Sequence, residues 1–281
     1  MMRSDTICII NRHAPLISGR CPMPYTPAHP ITAVVLDKLF PKRFNKTGLV
    51  IGTIAPDLQN FVMLRPTDTD FGHSPLGMLT IGLPASVLIA FAFHRLVLPA
   101  MALHTPAPFN GLLYRYAAQG WTVSGAKAWI VLLLSIAIGM YSHLFLDGFT
   151  HKGGLMYPYT VAALQWLAPG LPPSSLVLQL FLSAGCIGLE LLVLTVLVIR
   201  RLRWKNEAPA VHPAMKWSYW LIVLLAIFAV TATGIAVQDH GHLKAHAFMA
   251  LPVAPLTGTA VGLVAASALH AWIGKRKTSA A

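Results

Sequence analysis

Residues 128–146 read AWIVLLLSIAIGMYSHLFL and run straight into Asp147-Gly148-Phe149-Thr150-His151. Nineteen residues without Lys, Arg, Asp or Glu make a helix of ~28 Å at 1.5 Å per residue, close to the ~30 Å hydrocarbon thickness of a bilayer. A globular core could absorb one such segment; several of them argue for lipid as the solvent. The stretch is read as a membrane span that delivers a histidine and an aspartate to a membrane surface.

Working outward, four further stretches have the same character: 76–99, 175–199, 217–237 and 247–273. Of the 281 residues, 56% are hydrophobic and 11% charged, against roughly a quarter charged in an ordinary soluble domain. The expected fold is an all-α polytopic membrane bundle of about five transmembrane helices. Pro84, Pro252 and Pro255 fall in or near spans, where neighbouring helices can satisfy a freed carbonyl, and suggest kinks more than boundaries. Residues 1–22 lack the continuous apolar stretch of a secretory signal and read as an unstructured leader. Residues 23–273 read as one membrane-embedded domain and 274–281 as a basic cytoplasmic tail.

The net charge of +12 would suit nucleic acid in a soluble chain. Here the basic residues sit between apolar runs, so nucleic acid is not an expected partner and membrane lipid is. Arg115 and Lys127 follow the first span, with Arg95 at its edge, Arg200, Arg201, Arg203, Lys205 and Lys216 follow the third, and Lys275, Arg276 and Lys277 the last, whereas the second and fourth loops hold Lys152 and Lys244. The positive-inside rule then puts the C-terminus in the cytoplasm and the second and fourth loops outside the cytoplasmic membrane. Lys38, Lys42, Arg43 and Lys46 resist this count. They form the turn between two eleven-residue apolar arms, 30–40 and 47–57, which read as an N-terminal helical hairpin. It either dips into the protein or membrane with its basic tip toward the cytoplasm, or lies at the outer interface with its cations snorkelling.

His143 and Asp147 are four apart and share a helix face, which suits two ligands of one metal ion and equally a hydrogen-bonded structural pair. His151 is another four on and joins them only if the helix ends near Gly148 or two metals are bound. The hairpin returns Asp57 to the neighbourhood of His29, His73 precedes the first span, and span parity brings all of these to one face. Four imidazoles and two carboxylates suit zinc or another first-row divalent metal.

The motifs Met23-Pro24-Tyr25-Thr26-Pro27-Ala28-His29, Gly52-Thr53-Ile54-Ala55-Pro56-Asp57, Gly72-His73-Ser74 and Ser142-His143 through His151-Lys152-Gly153-Gly154 resemble those of a bacterial family of multi-pass membrane proteins, domain of unknown function 4184. Their order is also similar to that of membrane-bound metal-dependent hydrolase-like proteins and, more distantly, of zinc-dependent phospholipase C. The resemblance implies His29, Asp57, His73, His143, Asp147 and His151 as ligands of a metal, and hydrolysis of a phosphoester or lipid-like substrate at the outer membrane face. The chain departs from the hydrolase-like pattern with Gln59 where a second Asp would stand and with Gly72 in place of Arg-Gly-x-Thr, so a full multinuclear site is not expected.

Other features carry less. Asp239, His240, His242 and His246 face outward by the same topology and read as a solvated loop, with extension of the site as the alternative; His94, His104, His212 and His270 read as interfacial or packing residues. Glu190 is the one acid inside the third span. Cys8, Cys21 and Cys186 form neither a CxxC pair nor a disulfide framework. No phosphate loop, Gly-x-Ser-x-Gly elbow or nucleotide fingerprint is present. The alternatives to an enzyme are a transporter using the same His/Asp set as an ion pathway and a scaffold in which that set only joins helices.

Overall fold

The computed structural model describes residues 26–66, 70–172, 174–202, 206–237 and 251–279. The leader at 1–22 and the group Asp239, His240, His242 and His246 lie outside the described residues. Among those described, every regular element is helical.

Five helices are long and apolar enough to cross a membrane. They are α4 (Pro75–His104), α6 (Gly125–Asp147), α8 (Ser175–Leu202), α9 (Pro213–Val237) and α10 (Ala254–Ser279). Only 6% of the most apolar stretch of α8 and 11% of that of α9 is buried within the protein. Side chains such as Phe181, Leu191, Leu194 and Phe228 point outward, which water would penalise and lipid does not. The chain is a multi-pass membrane protein.

Shorter helices complete it: α1 (Pro30–Leu39), α2 (Lys46–Gly52), α3 (Leu58–Met63), α5 (Phe109–Ala118) and α7 (Tyr157–Leu167). Thr26–Ala28, Ala55–Asp57 and Asp70–His73 form single 3₁₀ turns. The prolines divide into two kinds. In α4, Pro84 and Pro99 each follow a π-helical turn, Met78–Gly82 and Phe93–Val97, where the helix widens upstream of a residue that cannot donate. Pro252 and Pro255 instead sit in a turn and in the first turn of α10. They mark a boundary and not the kink expected of them, because proline's missing N–H costs nothing where a helix begins.

Two close approaches organise the bundle. On α10, Gly258 and Gly262 let the backbone of α9 come so near that an added Cβ would stand 2.6 Å from Ile227 Cα and 2.8 Å from Val223 Cα. On α2 and α6, a Cβ at Gly52 would collide with Ile136 O and lie 3.0 Å from Gly139 Cα. Small residues are the usual means of close helix contact in lipid.

The second approach decides between the two placements of the hairpin. Asn45 N–H donates to Ser135 Oγ at 2.9 Å, Gly48 meets Leu132 and Ile136, and Thr53 O accepts from His143 Nδ1 at 2.7 Å. The hairpin therefore lies along α6, and its tip stands beside a residue ~18 Å before the end of that helix at 1.5 Å per residue. It dips into the bundle with Lys42, Arg43 and Lys46 directed away from the site, and Lys46 pairs with Asp37 at 2.8 Å. Glu190 of α8 comes up to the hairpin too, facing the backbone N–H of Ile31 in the first turn of α1, while its Oε1 is buried without a hydrogen-bond partner. Deeper in the bundle, His94 accepts or donates at Thr47 Oγ1 and stacks on Trp121, while His104 and His270 pack around Tyr219.

Candidate metal centre

Each site residue is delivered by a local feature. Pro56 opens a 3₁₀ turn that runs into α3, and Asp57 stands at the N-cap of α3 without capping it. Its carboxylate turns inward, where Thr26 Oγ1 donates to Oδ2 at 2.5 Å and Asn60 Nδ2 donates to Oδ1 at 3.2 Å. His73 precedes α4, whose N-cap is Ser74. Gly72 lies against the Pro56 carbonyl so closely that a Cβ would collide with it, and this absence of a side chain lets His73 reach Asp57. His143 and Asp147 occupy one face of the last turns of α6, which ends at Asp147. The negative end of that helix's dipole favours a cation.

The rings are oriented from behind. His143 Nδ1 lies 2.7 Å from Thr53 O and His29 Nδ1 lies 3.2 Å from Thr26 O. A carbonyl only accepts, so Nδ1 carries the hydrogen in both and Nε2 is the atom turned to the centre, the arrangement found behind metal-bound histidines. The two rings stack with centroids 3.9 Å apart.

Four groups then crowd around His73 and His143. His73 Nε2 is 3.2 Å from His143 Nε2, 3.5 Å from Asp57 Oδ1 and 3.5 Å from Asp147 Oδ2. His143 Nε2 is 3.2 Å from Asp147 Oδ2 and 3.8 Å from Asp57 Oδ1. Three of these atoms, on His73, His143 and Asp147, stand 3.2–3.5 Å from one another, a spacing that three ligands of one first-row ion share when each lies about 2.1 Å from it. The donor set thus fits a first-row divalent ion. His29 Nε2 meets the other oxygen of Asp147, Oδ1, at 3.2 Å. Two overlapping groups, His29 with His143 and Asp147, and Asp57 with His73 and His143, have the spacing to hold an ion.

The six residues named from the sequence divide as follows. Five meet in this cluster; His29, Asp57, His143 and Asp147 are buried and His73 is nearly so. His29 lies in the same cluster as Asp57 but bonds Asp147, and Asp57 is held by Thr26. His151 stands at the rim. The helix does end beside Gly148, yet His151 Nδ1 points to the Asp147 carbonyl at 3.1 Å and lies 3.9 Å from Asp147 Oδ1, with its side chain 33% exposed. Thr26, Thr53 and Asn60 were not singled out in the sequence. Thr26 and Thr53 sit inside the quoted motifs, and Asn60 follows Asp57 by the three residues that share a helix face.

A family model described as "Domain of unknown function (DUF4184)" matches residues 23–269. No curated protein and no solved structure matches the chain.

Proposed function

We propose that the chain, which belongs to the DUF4184 family, is a membrane metalloenzyme that hydrolyses a phosphoester at the membrane face bearing the His/Asp cluster. The observation that carries the reading is the largely buried gathering of His29, Asp57, His73, His143 and Asp147, in which two overlapping triples have the spacing to hold an ion. Two imidazole Nε2 atoms face each other there at 3.2 Å, a contact that either a hydrogen bond or a shared cation satisfies, and the carboxylates of Asp57 and Asp147 beside them favour the cation.

A divalent ion held there, zinc in the first instance, would supply Lewis acidity to activate water and polarise a phosphoryl oxygen. The chain's own groups do the rest. Thr26 and Asn60 fix the Asp57 carboxylate, Thr53 fixes the His143 tautomer, and His29 holds the outer oxygen of Asp147. His151, at the exposed rim, is placed to take up or return a proton. We place the site on the outer face of a bacterial cytoplasmic membrane and the C-terminus in the cytoplasm, on the Lys/Arg distribution. Residues 23–273 act as one domain in this reading.

The test is elemental analysis of protein purified without chelator, with turnover of bis(p-nitrophenyl) phosphate. Wild type should carry at least one equivalent of metal and cleave the diester. His143→Ala and Asp147→Ala should lose most of the metal and all turnover while remaining in the membrane. A folded wild type without metal, even after zinc supplementation, would sink the reading and leave a structural cluster. Metal without turnover would favour an ion pathway.

A further inference from the structure

The connection from α6 to α8 has the composition of a membrane surface. Between Lys152 and Glu190 the chain contains no Asp, Glu, Lys or Arg. Residues 153–174 therefore join two spans without one charge to hold them in water. Within them lies α7, of which only Leu164 is buried. Leu155 is 83% exposed, Tyr159 70%, Trp166 81% and Leu167 72%.

The same connection is tied to the metal centre. Gly154 folds back onto Gly148, the residue after Asp147, so closely that a Cβ would strike Gly148 O. Tyr157 N–H then donates to Gly154 O at 3.2 Å, and Ser175 Oγ donates to Thr150 O as α8 begins. Both ends of the connection are thus held at the end of α6. The exposed part of the site, His73 and His151, opens at that same end.

We propose that α7 lies flat in the lipid headgroup layer, and that the metal centre receives its ligand from that layer, as the phosphate headgroup of a membrane amphiphile and not as a solute. The lipid leaflet is the occupant that fits. A helix of eleven residues is ~16 Å long, too short to span. Its tyrosines and tryptophan are the residues that settle at the boundary of headgroup and acyl chain, and a protein partner is not needed to cover a face that a bilayer already covers. Lys152, exposed beside His151, supplies a cation at headgroup depth. The ligand's identity rests on the metal reading; the seat of α7 does not.

The experiment has two arms, both on the full chain in vesicles. In the first, the fluorophore NBD is attached at Tyr159→Cys or Trp166→Cys in a background in which Cys8, Cys21 and Cys186 are Ser. Lipids carrying a nitroxide near the headgroup should quench it more than lipids carrying one near the chain end. Aqueous iodide, present on both sides of the bilayer, should quench it far less than a label at Ala210→Cys in the exposed 206–212 connection on the opposite face. Free access to iodide would overturn the seat of α7. In the second arm, the protein is loaded with cobalt(II) and its visible absorption followed. Phosphatidylglycerol in the vesicle should change the spectrum, glycerol phosphate in solution at equal concentration should not, and Trp166→Asp with Leu167→Asp should abolish the vesicle response without releasing cobalt. An equal response to the soluble phosphate would overturn delivery from the membrane. Failure to bind cobalt at all would count against the metal reading, with the first arm still deciding the position of α7.

Discussion

Asp57 illustrates how little of a site is its ligands. Its buried carboxylate is held by a hydroxyl from Thr26, 31 positions earlier, and by Asn60, three positions later. Thr26→Val keeps the shape and removes the hydroxyl. It should weaken metal binding by about 10–100-fold, the usual cost of losing an outer partner, measured by competition with a fluorescent chelator. Unchanged affinity would mean that Asp57 is oriented by packing alone. His143→Ala should also lower the thermal midpoint of the metal-loaded protein but hardly that of the chelator-stripped protein, because metal binding and folding are coupled. At this scale the sequence was informative about acids and imidazoles, whose chemistry is scarce in an apolar chain. It was silent about Thr53, whose contribution is a backbone carbonyl that any residue could present. Spacing placed His29 beside Asp57 and the fold gathers both into one cluster, but the bond of His29 to Asp147 was not legible, since a hairpin fixes where a residue stands and not where its ring points.

Among the elements, the hairpin of α1 and α2 matters most, because it carries His29, Thr53 and Asp57 and is seated on α6 through Gly52 and Gly139. A branched side chain at that contact must push the two backbones apart, and overpacking of this kind costs about 1–3 kcal/mol. Gly139→Val should therefore lose metal without touching a ligand, while Gly185→Val on α8, where an added Cβ meets nothing, should keep it. Metal analysis of both decides the matter; equal retention would show that the hairpin holds its place without that contact. The five spans were legible because lipid demands long apolar runs. The hairpin's two placements were not separable in sequence, because arms of eleven residues fit an interface as well as an interior. What separates them is a glycine contact across 87 residues, visible only once the chain is folded.

For the molecule as a whole, five crossings put the C-terminal end of α10 on the face opposite the metal centre. Alkaline phosphatase fused after Ala281 should be inactive and fused near Gly170 active. Equal activity of the two fusions would break the five-span arrangement, and exchanged activities would invert it. The expected sense rests on Arg95, Arg115, Lys127, Arg200, Arg201 and Lys216, which lie toward the end away from the site, as does the hairpin tip.

The hairpin's seat also sets an order of events during synthesis. Asn45 is bonded to Ser135, made 90 residues later, and His29 meets Asp147 after a further delay, 118 residues on. Two arms too short to cross the bilayer, joined by a basic turn, have no stable berth when they leave the ribosome. They must wait at the surface until α6 arrives. Nascent chains stopped at Ser124 should leave a cysteine at Lys42 open to a membrane-impermeant thiol reagent from the side of the metal centre, and chains stopped after Tyr157 should close it. Assembly of the centre is thus a late event that reports the arrival of α6, and a chain arrested before it carries half of the donors with nothing to hold them together.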